Sequence, residues 1–299
     1  MKYSKQSDHP VPIVGVIVLN DRDEILLTRR AQEPFFGSWV IPGGKVEVQD
    51  DCVEATAIRE VKEETGLDIE LTNLVGVYSS QDDPRFFVAE VIYAARIIGG
   101  VLQTNSEVSE FYLMKNEGNG SLTYGFNHRW LIQQFRESKK SAASLIPIKR
   151  SRFTAWYGTE YPYFISAYPR FACMAIVRNA EGEILLARRA QKPFVGCWDF
   201  PGGHMYVDET PEACLKREVR EELGVECAVG DLFQVYSDKG QNPKNADIAA
   251  FYFVTLEDNH FVKNIEMDDF HFFSLREIPR DMAYQNQIVL EDLQQKKFL

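Results

Sequence analysis

The chain has 299 residues, 45% of them hydrophobic and 12% aromatic, with a formal net charge of −11. That length is typical of two domains, and that composition buries real cores, which excludes an intrinsically disordered chain. The acidic balance argues against a nucleic-acid polymer as partner, although an acidic protein still takes a small phosphate ligand where metal neutralises the site.

In chain order, an apolar stretch from Val11 follows Lys2 and Lys5, the outline of a signal peptide, but lacks a small-residue cleavage site. It is read as a core strand, Ile13–Leu19, because it has an internal counterpart. A polar turn leads to a second strand, Glu24–Thr28, then to a loop holding Trp39 and Pro42-Gly43-Gly44, then to a helix. Strands at Leu74–Tyr78 and Phe86–Ile97 and an amphipathic helix at Asn127–Glu137 complete the set. No run reaches the roughly 20 apolar residues of a membrane span, so no membrane association is expected.

The whole pattern then returns. Glu24-Ile25-Leu26-Leu27 recurs as Glu183-Ile184-Leu185-Leu186 (183 − 24 = 159), and Trp39 with Pro42-Gly43-Gly44 recurs as Trp198 with Pro201-Gly202-Gly203. Beyond the glycines the offset slips, with Arg59 matching Arg217 (217 − 59 = 158). Strands are expected at Cys173–Val177, Glu183–Ala187, Phe233–Tyr236 and Ile248–Leu256, and a last helix at Gln285–Gln295. The expected domains are 1–138 and 168–299, joined by a connector, 139–167, in which Phe153, Trp156, Tyr157, Tyr161, Tyr163 and Phe164 crowd together, with Tyr168 just beyond it. That cluster reads as interdomain or dimer packing, or as a stacking platform for a base. Strands and helices without strict βαβ alternation predict mixed sheets with helices on both faces, an α/β class.

The stretch around which each repeat is organised is clearest at Gly203–Val225. Thr210-Pro211 is a helix start and Gly224 a helix stop. Leu215, Val219 and Leu223 form a buried stripe, while Glu218, Glu221 and Glu222 share another face within one turn. Three carboxylates that close repel unless a cation sits among them, and hard oxygen donors at that density suit Mg²⁺ or Mn²⁺. Arg217 lies four residues before Glu221 and can orient it.

This run of Gly, five residues, Glu, seven residues and Arg-Glu-Val-x-Glu-Glu-x-Gly-Val resembles the Nudix box. The resemblance implies an α/β/α sandwich, duplicated in tandem, that hydrolyses phosphoanhydride bonds with a divalent metal. By it, Glu218, Glu221 and Glu222 are metal ligands of the second repeat and Glu60, Glu63 and Glu64 of the first, with Gly44 and Gly203 letting backbone approach the metal. The catalytic set it implies is Arg59, Glu63, Arg217, Glu221 and Glu209, the last as a loop-holding acid. Glu107, Glu110, Glu266 and Asp269 are candidates for a general base on a later loop.

The first box, 44–67, departs from the second, 203–225. Six residues separate Gly44 from Asp51, which stands where the pattern has glutamate. Asp51 is expected to cap the helix, with Glu54 three residues on, and the loop before it to be rebuilt. Arg30 and Arg189 resemble phosphate-contacting residues of MutT-type triphosphate hydrolases. Pro84 and Pro243, downstream of the boxes, and Val77–Arg85 look like ADP-ribose-type members, and the reading leans to ADP-ribose or another nucleotide diphosphate conjugate. A triphosphate pyrophosphohydrolase and a nucleotide sensor without turnover stand as alternatives. Five cysteines without a CxxC are expected to be reduced thiols in a cytoplasmic protein, with a homodimer possible in principle.

Overall fold

A computed structural model describes residues 9–47, 50–80, 87–115, 121–140, 146–147, 169–238, 247–284 and 286–295. The connector aromatics Phe153 to Tyr168, with Pro84, Arg85 and Pro243, lie outside the described residues. The chain divides into two compact units, Pro10–Ser151 and a second formed by Arg152–Leu299 with Met1–His9.

In the Pro10–Ser151 unit the elements are β1 (Val11–Leu19), β2 (Ile25–Arg30), β3 (Trp39–Val40), β4 (Gly43–Lys45), α1 (Val53–Thr65), β5 (Leu67–Ser80), β6 (Val88–Gly100), β7 (Val108–Met114), α2 (His128–Lys140) and β8 (Ile146–Pro147). The sheet runs β3-β2-β1-β6-β5-β8, with β4 on β1 and β7 on β2. Only β1 and β6 among the paired strands run parallel, in register from Val11–Val88 to Leu19–Arg96. They are joined through the box helix, the kind of crossover a parallel pair requires. Alternation on these central strands serves two helices. Ile17, Leu19, Ile92 and Ala94 join Leu131, Ile132 and Phe135 of α2 in one core cluster, and Tyr93 faces Glu54 of α1 on the other side.

The second unit repeats this. Its elements are β9 (Arg170–Val177), β10 (Ile184–Arg189), β11 (Trp198–Asp199), β12 (Gly202–His204), α3 (Pro211–Leu223), β13 (Cys227–Asp238), β14 (Asp247–Leu256), β15 (Met267–Phe273) and α4 (Asn286–Gln295). Strands β12-β9-β14-β13 form one sheet and β11-β10-β15 another. β9 and β14 are again parallel, from Arg170–Asp247 to Val177–Val254. Met174, Ile176, Phe200 and Phe251 pack with Val289, Leu290 and Leu293 of α4.

The strands after each box are longer than the sequence predicts. β7 and β15 are additions, because their apolar residues are interrupted by Ser109, Glu110, Asp268 and Asp269. All five cysteines are free thiols. No helix among the described residues is long and apolar enough to cross a membrane.

Candidate active site

Helix α3 starts where Thr210 takes extended backbone angles and its Oγ1 accepts the Ala213 N–H at 3.1 Å. It ends at Gly224, whose φ of 79° lies in the left-handed region, with its N–H donating to Arg220 O at 3.0 Å. Along its exposed side Arg217 acts as a hub. Nε and Nη2 donate to the two oxygens of Glu209 at 2.5 and 2.9 Å, Nη1 donates to Glu218 (2.6 Å) and Glu221 (3.1 Å), and Nη2 reaches His204 O at 3.0 Å. The Tyr206 ring lies 4.4 Å from the guanidinium carbon. Burial drives the Glu209 carboxyl upward, but the Arg217 hydrogen bonds and the Tyr206 N–H overcome it and hold it below its ordinary value.

Glu222 faces inward, its Oε2 accepting the Gly202 N–H at 2.8 Å. Glu218 lies against Gly203, where an added side-chain carbon would stand 2.6 Å from the carboxyl. Both acids are pushed upward, first by burial, with neighbouring carboxylates adding to it; Glu222 rises well above the ordinary range. Glu221 stays exposed.

The first repeat reproduces this network. Arg59 Nη1 donates to Glu60 at 2.8 Å and Glu63 at 3.0 Å, and Glu64 Oε2 accepts the Gly43 N–H at 3.1 Å. Burial, ahead of the charges of Glu60 and Glu107, pushes Glu64 to about 8. Glu60 fills the space over Gly44, where a side-chain carbon would come 2.4 Å from its carboxyl.

One expectation is corrected here. The residue that does in the first repeat what Glu209 does in the second is Asp50, not Asp51. Asp50 takes Arg59 Nε and Nη2 at 2.9 and 2.8 Å and accepts the Glu47 N–H at 3.1 Å, as Glu209 accepts that of Tyr206 at 2.9 Å. Asp50 and Glu209 keep the upstream offset (209 − 50 = 159), whereas the helix caps Cys52 and Thr210 are already at 158 (210 − 52 = 158). The extra residue is therefore Asp51, inserted between the acid and the helix. The Gly44-to-acid loop has the same five-residue span as in the second repeat. Asp51 is not the cap; Cys52 is, with no side-chain cap hydrogen bond.

The loop acids separate in two. Asn105 Nδ2 donates to the carbonyls of Glu63 and Glu64 while its Oδ1 accepts the Glu107 N–H. Asn264 does the same for Glu221, Glu222 and Glu266. These asparagines close the open end of each box helix and bring Glu107 and Glu266 toward the carboxylates. Glu110 and Asp269 are drawn elsewhere, to Arg29 at 3.1 Å and to Lys263 at 3.1 Å.

In the second unit the box opens onto a cleft of ≈ 470 Å³ lined by Glu218, Glu221, Glu222, Glu266, Arg189 and Lys192. Its far wall carries groups that sequence reasoning missed. Asp199, fully buried, accepts from Arg189 Nη1 at 2.8 Å and Asn286 Nδ2 at 2.6 Å. Arg170 pairs through Nε and Nη2 with Asp247 at 3.1 and 3.2 Å. Asn286 is 87 residues from Asp199 and Arg170 is 77 from Asp247, so no local pattern could expose those two pairs. The two predicted phosphate arginines also differ. Arg189 is tied to Asp199, while Arg30 donates from Nε to Pro34 O at 2.7 Å, with burial lowering its pKa.

Among the described residues no three His, Cys, Asp or Glu side chains converge as a preassembled metal shell. The donor set nevertheless fits a hard divalent cation: three carboxylates stand beside glycine backbone in each repeat, and two of each three, Glu60 with Glu64 and Glu218 with Glu222, are raised first by burial and then by neighbouring carboxylates.

Comparison with known proteins agrees with this geometry. The NUDIX domain model matches residues 9–118 and 168–293, and the chain belongs to that family. It is a hydrolase of the kind that acts on diphosphate bonds. An ADP-ribose pyrophosphatase of Methanocaldococcus jannaschii is 37% identical over 134 residues, covering 44% of this chain and 76% of that protein. A MutT-like protein of Streptomyces ambofaciens is 39% identical over 99 residues, 33% of this chain and 59% of the relative. The solved NUDIX domain of Shewanella oneidensis NrtR, complexed with ADP ribose, is 26% identical and covers 44% of this chain and 88% of that one, with a TM-score of 0.38.

Proposed function

We propose that the protein is a metal-dependent hydrolase of nucleoside diphosphates linked to a second moiety, of the ADP-ribose class, and that each repeat carries a working box. The observation that supports this most is the duplicated hub, in which one arginine holds three carboxylates in the same arrangement twice. Glu218, Glu221 and Glu222, or Glu60, Glu63 and Glu64, would hold Mg²⁺ or Mn²⁺ beside the Gly203 or Gly44 turn. When bound, the cation neutralises charge on the diphosphate and makes water a better nucleophile.

The chain's own residues supply positioning. Arg217 fixes Glu218 and Glu221 from one side, and its clamp on Glu209 keeps the loop from moving the box. Glu222 is held by the Gly202 N–H. Arg189 and Lys192 face incoming phosphate charge, and Glu266, on its asparagine-tethered loop, stands as a candidate to take a proton from water. The Methanocaldococcus relative favours ADP-ribose as the substrate class.

A MutT-type triphosphate reading has one specific observation in its favour, the uncommitted fork of Arg30 in the first repeat. Chromatographic product analysis with Mg²⁺ separates the readings. AMP from ADP-ribose supports the first, and pyrophosphate from a triphosphate supports the second. Tight binding without product would make the chain a sensor.

A further inference from the structure

The two repeats share strand pairing but differ at positions that line the second unit's cleft. In the second unit the cleft wall includes Met174, Ala249, Tyr236 and Asn286. Strand register identifies their counterparts in the first unit. Met174 pairs with Gly202 as Gly15 pairs with Gly43. Ala249 pairs with Tyr236 as Glu90 pairs with Tyr78. Asn286 and His128 each open the last helix of their unit. The same four positions thus read Met, Ala, Tyr, Asn in one repeat and Gly, Glu, Tyr, His in the other.

The exchange is coupled. A side-chain carbon on Gly15 would lie 2.7 Å from Glu90 Oε1, so the loss of a side chain at position 15 is what makes room for the carboxylate. His128 Nδ1 accepts the Ile41 N–H at 3.0 Å, which leaves the ring proton on Nε2, 3.5 Å from Glu90 Oε1. Glu90 is 3% exposed and His128 6%. A carboxylate buried on an inner strand is costly unless its oxygens are hydrogen-bonded. The fold does not need it there, since the second repeat builds the same position with alanine. One long contact from His128 also leaves most of a carboxylate's acceptor positions to be filled.

We propose that Glu90, oriented by His128, is the specificity-determining acceptor of the first repeat, taking N–H donors from a nucleotide base, and that the two repeats therefore read different bases. A carboxylate selects an edge with adjacent donors. Guanine offers a ring N–H beside an amino group, hypoxanthine keeps only the ring N–H, and adenine sets its amino group beside an acceptor nitrogen that repels the carboxylate. The proposal rests on the nucleotide reading above.

The test is calorimetric titration of the full chain with the α,β-methylene diphosphates of guanosine, inosine and adenosine in Mg²⁺, which needs no turnover. Wild type should show one site that prefers the guanosine analogue. Glu90→Gln should weaken that site roughly ten- to a hundredfold, the worth of a hydrogen bond to a charged group, and leave adenosine binding unchanged. A Gly15→Met/Glu90→Ala variant, which installs the second repeat's wall, should keep the fold by circular dichroism and lose the preference. A folded Glu90→Gln with undiminished guanosine affinity, or a wild type with no base preference, overturns the proposal alone. Failure of all three analogues to bind overturns the nucleotide reading with it.

Discussion

Replacing Asp50 by Asn, with Asp51→Asn as its control, tests the placement of the inserted residue. Asp50 is 7% exposed at its side chain and takes two hydrogen bonds from Arg59, one from Thr56 Oγ1 at 2.8 Å and one from the Glu47 N–H. An amide keeps one acceptor oxygen but turns an NH₂ toward donors and removes the charge facing Arg59. A charge-assisted hydrogen bond contributes about 1.5–3 kcal/mol, and Arg59 is itself partly solvated, so the expected cost is about 2–3 kcal/mol. For a unit of this size that lowers its thermal midpoint by roughly 6–12 °C. Asp51 is exposed, and its substitution should stay within about 0.5 kcal/mol. The pH dependence has a definite sign. Burial raises Asp50, but Arg59, Thr56 and Glu47 hold it below its ordinary value of 3.8. Its stabilisation is therefore present above about that pH and lost as pH falls through the depressed folded value. Scanning calorimetry at pH 7 should separate wild type from Asp50→Asn, and the two should converge in acid. If Asp51→Asn lowers the midpoint while Asp50→Asn does not, the insertion lies in the glycine loop and Asp50 is not the counterpart of Glu209.

Other expectations follow from the same geometry. Glu221→Gln removes the charge of a proposed metal ligand from an exposed position and one 3.1 Å contact, so second-repeat turnover should vanish while the stability changes by no more than about 1 kcal/mol, read by kinetics and calorimetry together. Gly203→Ala places a carbon 2.6 Å from the Glu218 carboxyl, and should lower kcat roughly a hundredfold by displacing that acid, with a far smaller change in KM. Asn264→Ala frees the loop bearing Glu266 and uncaps two helix carbonyls; about 1–2 kcal/mol of local stability should be lost, visible as faster amide exchange around residues 221–224.

Much of this was legible in the sequence because its signals are local. Thr210-Pro211 and Gly224 mark a helix whether or not anything packs on it, and the spacing of Arg217, Glu218, Glu221 and Glu222 puts them on one turn. The duplication was legible because both copies keep the same loop residues. The site of the insertion was not. Asp50 and Asp51 are adjacent and identical, so a sequence alignment has no reason to choose, and only the Arg59 fork distinguishes them. The strands β7 and β15 were hidden because charged residues interrupt their alternation to pair with Arg29 and Arg188 across the sheet. The cleft walls were hidden for a different reason: Asp199 meets Asn286, Arg170 meets Asp247 and Glu90 meets His128 only through tertiary pairing.

Under the proposed function, the two arginine–carboxylate hubs carry diphosphate hydrolysis. Its most direct test is anion-exchange analysis of products from ADP-ribose and Mg²⁺, with wild type beside the Glu63→Gln/Glu221→Gln double variant. Wild type should yield AMP and ribose 5-phosphate, with the rate falling by roughly three orders of magnitude or more in a folded double variant. A double variant that keeps the wild-type rate would contradict the proposed function.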